Sequence, residues 1–145
     1  MADVVDKATR SRMMSNIKGQ NTKPEIYIRS GLHKLGFRFQ INDNKLKGKP
    51  DVVLKRLSAV IFINGCFWHG HDCHYFKLPK TRPDFWFAKI ESNKKRDAET
   101  VNVLHSEGWR VCIVWECAIK TENKGKLFLQ LEKWLNGTRK FKEIG

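Results

Sequence analysis

Apolar positions along the chain recur at two different periods, and the changes of period mark out the elements. Residues 7–17 read as a short basic helix carrying Met13, Met14 and Ile17. Thr22-Lys23-Pro24-Glu25 then opens a second helix, with Thr22 suited to the N-cap, Pro24 tolerated in the first turn and Glu25 completing a capping box. Ile28, Leu32 and Leu35 follow at helical spacing, and Gly36 is a stop. From Phe37 to Ile41 apolar and polar residues alternate, the mark of a half-buried strand, and 42–49 is a polar turn region. Val52-Val53-Leu54 and Ala59-Val60-Ile61-Phe62-Ile63 are short β-branched runs, expected as adjacent central strands joined by a tight turn near Arg56 to Ser58.

A long helical pattern starts at Pro83-Asp84 and reaches about Ser106, with Phe87, Ile90, Val101 and Leu104 as inward positions and Gly108 as its end. Residues 109–115 read as another buried strand, and Lys126 to Leu135 as a last amphipathic helix with Leu127, Leu131 and Trp134 on one face. Helices before and after a cluster of strands predict an α/β sandwich with a mixed sheet flanked by helices. No repeat, linker or low-complexity tract divides the 145 residues, so one domain over 1–145 is expected, with 1–20 as a basic N-terminal arm. The first residues lack the apolar stretch of a signal peptide and nothing approaches a membrane span, so a cytoplasmic protein is expected.

Charge narrows the class of partner. Twenty-eight Lys and Arg face fifteen Asp and Glu, a net charge of +13. From Lys7 to Lys49 there are eleven basic residues and two acids, Glu25 and Asp43. A basic field of this size and segregation favours a polyanion, and a phosphate backbone is the commonest one.

The four cysteines are Cys66, Cys73, Cys112 and Cys117, and two of them bracket His69 and His71 in a polar loop. Thiolate and imidazole at this density suit tetrahedral Zn²⁺. Cys66, His71 and Cys73 supply three ligands, and Cys117, just past a buried strand, is the natural fourth. His69, Asp72 and His74 are rivals. Cys112 sits inside a strand-like run and reads as a buried thiol.

A second chemistry is written around Asp51. Lys49-Pro50-Asp51-Val52-Val53 places a carboxylate at the start of an apolar strand, where it suits Mg²⁺, a hard cation that takes carboxylate oxygen and serves phosphate chemistry. In many nucleases with a Pro-Asp motif an acid and a lysine follow on the next strand, but Val60-Ile61-Phe62-Ile63-Asn64 has neither. Other elements must supply those functions. His69 is a candidate general base, since histidine as a residue type titrates near neutrality. Asp97 either orients that imidazole or is a solvated helix residue among Lys94, Lys95 and Arg96. Glu25 either caps its helix or holds water beside the metal. Phe67 and Trp68 have few places to hide in a polar loop and read as wedges for a base stack, whereas Phe85 reads as packing on the sheet.

These residues carry a resemblance. Ala2-Asp3, Asp6-Lys7-Ala8-Thr9-Arg10-Ser11, Gly48-x-Pro50-Asp51, Gly65-Cys66-Phe67-Trp68-His69-x-His71-x-Cys73, Thr81-Arg82 with Phe85-Trp86, and Gly108-Trp109-Arg110-Val111 with Val114-Trp115-Glu116-Cys117 closely resemble the very-short-patch repair (Vsr) mismatch endonucleases of bacteria, in order and over nearly the whole chain. The resemblance implies a restriction-endonuclease-like three-layer sandwich with a structural zinc. It implies Mg²⁺-dependent nicking of double-stranded DNA on the 5′ side of the thymine in a T:G mismatch left by 5-methylcytosine deamination. The enzyme would act as a monomer in the bacterial cytoplasm, associated with the nucleoid when on DNA, and other mismatch-repair proteins are candidate partners.

Carried over by position, Asp51 would be the metal ligand, joined by the main-chain carbonyl of Ile63, and His69 the general base. Glu25 would assist through water and Asp97 through His69. Cys66, His71, Cys73 and Cys117 would bind zinc. Phe67, Trp68 and Trp86 would intercalate beside the mismatch, Met14 and Ile17 would enter from the other groove, and Lys89 and Asn93 would read base edges. Two positions depart from the pattern: Ile63 and Asn64 stand where family members carry Thr and His. The carbonyl role survives that change, while the hydroxyl and imidazole are lost, so rate, metal preference or sequence preference are expected to differ. A zinc-stapled module that only binds distorted DNA, and a nuclease for fully paired sites, are the competing expectations.

Overall fold

The computed structural model describes residues 22–73, 76–121 and 125–145. The expected helix over 7–17, with Met14 and Ile17, lies outside the described residues. The elements run α1 (Lys23–Lys34), β1 (Gln40–Ile41), β2 (Val52–Leu54), β3 (Ala59–Asn64), α2 (Pro83–Ser106), β4 (Arg110–Trp115), α3 (Glu116–Lys120), α4 (Lys126–Leu135) and β5 (Phe141–Ile144).

The five strands form one sheet in the order β1-β2-β3-β4-β5. β1 to β3 pair antiparallel, while β4 is parallel to β3 and β5 is parallel to β4. The length of the connections decides this. β2 reaches β3 through a single 3-10 turn, Lys55–Leu57, closed by Ser58 in the left-handed region at φ 51°. Such a turn can only reverse the chain. β3 to β4 and β4 to β5 are instead joined through helices, and a crossover of that kind returns the chain parallel.

Side chains alternate across the sheet with period two, so each strand feeds two cores. Val52, Leu54, Ala59, Ile61, Cys112 and Val114 meet Ile28 and Leu32 of α1 and Leu127, Leu131, Trp134 and Leu135 of α4. Val53, Val60, Val111, Ile113 and Trp115 meet Leu104 of α2 on the other side, together with Cys66 and Cys117. Strands buried on both faces explain the near-continuous apolar runs.

Several expectations shift by local physics. β1 shrinks to two exposed residues, because Phe37 and Phe39 lie against the core before regular pairing begins. Phe87 points outward at 59% exposure, whereas Ile90 and Leu104 are inward. Leu35 is exposed as well, since α1 ends before it. The capping box at Thr22 does not form: its side chain makes no cap hydrogen bond, and Glu25 turns to Arg29 instead. β5 and α3 were not expected, and β5 carries only Phe141 and Ile144 as apolar residues. Gly36 and Gly108 do follow their helices at φ 92° and φ 90°.

Candidate active site and metal centre

The parallel register of β3 and β4 builds the first half of the site. Asn64 pairs with Trp115, so Cys66 and Cys117, each two residues further on, leave the sheet side by side. The Cys117 N–H points at Cys66 Sγ across 3.4 Å. After Cys66 the chain coils tightly: the His71 N–H donates to the Cys66 carbonyl and the Cys73 N–H to the His71 carbonyl, each at 2.9 Å. The coil brings His71 and Cys73 back onto the two cysteines. One donor atom from each of Cys66, His71, Cys73 and Cys117 lies within 4.8 Å of all the others.

The surroundings hold this group rigidly. The His71 ring stacks on Trp115 at 4.2 Å and 7°. Gly70, at φ 63°, lets the loop press on α2, where a Cβ would stand 2.7 Å from Ile90 Cγ2. Burial pushes the Cys66 thiol up to about 12, and its thiol neighbours Cys73 and Cys117 push further while the Cys117 N–H pulls back. Cys117 is raised too, again mainly by burial. A bound cation removes that penalty by pairing with the thiolates, so the donor set fits a soft-ligand metal. Of the rivals, Asp72 is exposed and outside the group and His74 lies outside the described residues. Cys112 is buried in the opposite core.

The second half is a cleft of about 780 Å³ at the carboxyl end of β3, lined among others by Glu25, Asp51, Ile63, Asn64, His69 and Asp97. Asp51 stands just before β2, and its Oδ2 accepts a 2.7 Å hydrogen bond from the Ile63 N–H of the paired strand. Burial lifts its carboxyl to about 7; the Ile63 bond pulls it down, and the adjacent Glu25 carboxylate pushes it up again. Two carboxylates brought together in a buried cleft form a hard-oxygen donor set, which fits Mg²⁺.

His69 faces the same cleft from the loop, turned away from the sulfur cluster. Its Nδ1 lies 2.6 Å from Asp97 Oδ2 on α2. A carboxylate only accepts, so Nδ1 carries the hydrogen, and in the neutral imidazole this tautomer leaves Nε2 as the acceptor. Asp97 is therefore paired with His69 rather than only solvated, and Glu25 pairs with Arg29 beside Asp51.

The aromatic residues divide. Phe67 is half-buried at the hub of a cluster, 5.2 Å from Trp68, 5.5 Å from Trp86 and 6.0 Å from Phe76. Trp68 is 47% exposed. Phe85, expected on the sheet, is exposed beneath the Arg82 guanidinium at 4.5 Å, because the start of α2 projects past the sheet. Asn93 donates to the Trp68 carbonyl at 2.9 Å and so tethers the aromatic loop to α2, while Lys89 is exposed on the same helix.

Sequence reasoning passed over Arg29. It is buried on α1 and reaches Glu25, Asn42 and the Asp51 carbonyl. The signal was there, since Glu25 and Arg29 stand four apart on one helix face.

Residues 2–75 match the family model described as DNA mismatch endonuclease Vsr. The chain is 45% identical to the DNA mismatch endonuclease Vsr of Escherichia coli (strain K12) over 140 residues, covering 94% of this chain and 90% of that one. It is 43% identical to the type II nicking enzyme V.XorIIP of Xanthomonas oryzae pv. oryzae, covering 82% and 88% of the two chains. It is 42% identical to the type II nicking enzyme V.NmeAIP of Neisseria meningitidis serogroup A, covering 84% and 87%. The chain belongs to the DNA mismatch endonuclease Vsr family.

Proposed function

We propose that this member of the Vsr family is a Mg²⁺-dependent, strand-nicking DNA endonuclease that cuts 5′ of the thymine in a T:G mismatch arising from 5-methylcytosine deamination, starting very-short-patch repair. The single observation that carries the reading is one cleft in which the Asp51–Glu25 carboxylates face the His69–Asp97 pair. Relatives named as a mismatch endonuclease and as nicking enzymes support it. A mixed sheet with helices on both faces supports a restriction-endonuclease-like sandwich. The enzyme acts as a monomer in the cytoplasm; among the described residues no helix is long and apolar enough to cross a membrane.

Asp51 and the Ile63 carbonyl would hold Mg²⁺, with Glu25 assisting through water, and the ion when bound supplies Lewis-acid stabilisation of charge on the phosphate. The protein's own residues do the rest. His69 takes a proton from the attacking water at Nε2 while Asp97 fixes its tautomer through Nδ1. The Ile63 N–H holds the Asp51 carboxylate in one rotamer. Cys66, His71, Cys73 and Cys117 would hold Zn²⁺ and so keep the loop that carries His69 fixed to the sheet. Trp68, backed by Phe67 and Trp86, inserts beside the mismatch, with Lys89 and Asn93 of α2 facing base edges and Met14 and Ile17 entering the other groove.

The test is a duplex with one T:G pair, set in a library of flanking contexts, incubated with protein and Mg²⁺. One nick on the thymine strand is expected. Intact DNA in every context supports a binding module instead, and equal cutting of matched duplex supports a nuclease for paired sites.

A further inference from the structure

Three groups that line the cleft come from different parts of the chain: Glu25 from α1, Asn42 from the turn after β1, and Asp51 from the entry to β2. One side chain reaches all of them from behind. The Arg29 guanidinium lies 3.2 Å from Glu25 Oε2, 3.2 Å from Asn42 Oδ1 and 3.1 Å from the Asp51 carbonyl. We propose that Arg29 is a positioning residue for the divalent-metal site, holding the Glu25 and Asp51 carboxylates at one fixed separation before the metal arrives.

All three contacts converge on one guanidinium nitrogen, Nη2, whose direction the rigid planar group fixes in a way that a lysine ammonium on a flexible stem cannot match. Asp51 is then gripped from two sides, its carbonyl by Arg29 and its carboxylate by the Ile63 N–H. Glu25 is gripped on one oxygen by an ion pair in which both side chains are about 10% exposed. Two adjacent carboxylates repel once both are ionised, and with no cation behind them they would then swing apart into the cleft. The buried guanidinium opposes that motion while itself lying outside the cleft lining. Groups that orient metal ligands are generally worth 10- to 100-fold in metal affinity or activity.

The proposal rests on the reading of Asp51 and Glu25 as the metal side of the cleft, so its test includes Asp51→Asn. Mn²⁺ binding to the zinc-loaded protein is followed without DNA, alongside the Mg²⁺ dependence of nicking and duplex affinity without divalent metal. Arg29→Met is expected to weaken Mn²⁺ by about tenfold, to raise half-saturating Mg²⁺ in parallel, and to leave duplex affinity unchanged. Arg29→Lys should fall between. Asn42→Gly removes one anchor at a position whose φ of 50° suits glycine, and should shift Mn²⁺ in the same direction by less. If Arg29→Met does not fold, Arg29→Lys and Asn42→Gly decide the matter in the same way. Unchanged or tighter Mn²⁺ binding in these variants would overturn the proposal and leave Arg29 as a structural ion-pair partner. Undiminished Mn²⁺ binding by Asp51→Asn would instead remove the metal reading itself.

Discussion

The sulfur cluster and the carboxylate cleft are neighbours on the same strand end, yet they are built on opposite principles. Cys66, His71, Cys73 and Cys117 converge within 4.8 Å, locked by a coil of backbone bonds and by the stacked Trp115 ring. Asp51, Glu25 and His69 instead line about 780 Å³ of open space. A structural metal site needs every position filled by protein; a site that handles phosphate must leave positions for substrate and water. His69 and His71 show the division at closest range. Two residues apart on one coil, one turns to the sulfur cluster and the other to Asp97 across the cleft.

If that division holds, damage to the cleft should abolish chemistry while sparing the fold. Asp51→Asn is expected to lower the nicking rate by about 10³-fold or more, since several kcal/mol of charge stabilisation goes with the metal. His69→Ala should cost about 10²- to 10⁴-fold, and Asp97→Asn less than His69→Ala because it disturbs only the tautomer. Single-turnover nicking on a T:G duplex measures all three. Near-wild-type rates in Asp51→Asn would break the assignment.

Damage to the cluster should do the reverse and act on stability first. Cys117→Ser is expected to bind zinc weakly and to melt about 10 °C or more below wild type. Zinc content and thermal melts check this, with Asp51→Asn as the control that keeps its zinc.

The two regions also differ in how pH acts on them. The Asp51 carboxyl in the folded chain sits at about 7 against an ordinary 3.8. The folded state therefore holds this proton where the unfolded chain has lost it. This group's contribution to stability is complete below about pH 4 and is lost as pH rises towards 7. Asp51→Asn, which stays neutral, should gain several degrees on wild type between pH 4 and pH 8, and added Mg²⁺ should narrow the gap. A difference that does not change with pH would count against it. The smallest effect is expected at Cys112, in the opposite core: Cys112→Ala should cost about 1 kcal/mol of stability and leave one zinc per chain.

What could be read along the chain was what repeats or clusters locally. The helices Lys23–Lys34, Pro83–Ser106 and Lys126–Leu135 and the strands β2, β3 and β4 each carry enough apolar residues at a fixed period to specify themselves. β5 could not be read that way. Phe141-Lys142-Glu143-Ile144 is a strand because β4 offers it an open parallel edge, from Val111 paired with Phe141 to Val114 paired with Ile144. Phe87 was misplaced because α2 outruns the sheet, so its helical stripe continues past the core it would face.

The sequence by itself determined the chemistry available: a dense Cys/His loop, an acid at a strand start, a basic surface and a set of motifs that identify the family. It did so because residue type and short spacing decide which metals and which protons a segment can handle. Tertiary structure alone decided which groups meet. Cys117 joins Cys66 through the Asn64–Trp115 register, Asp97 reaches His69 across 28 positions, and Arg29 gathers Glu25, Asn42 and Asp51. Those meetings depend on strand pairing and on two cores filling at once, and neither leaves a periodic trace in the chain.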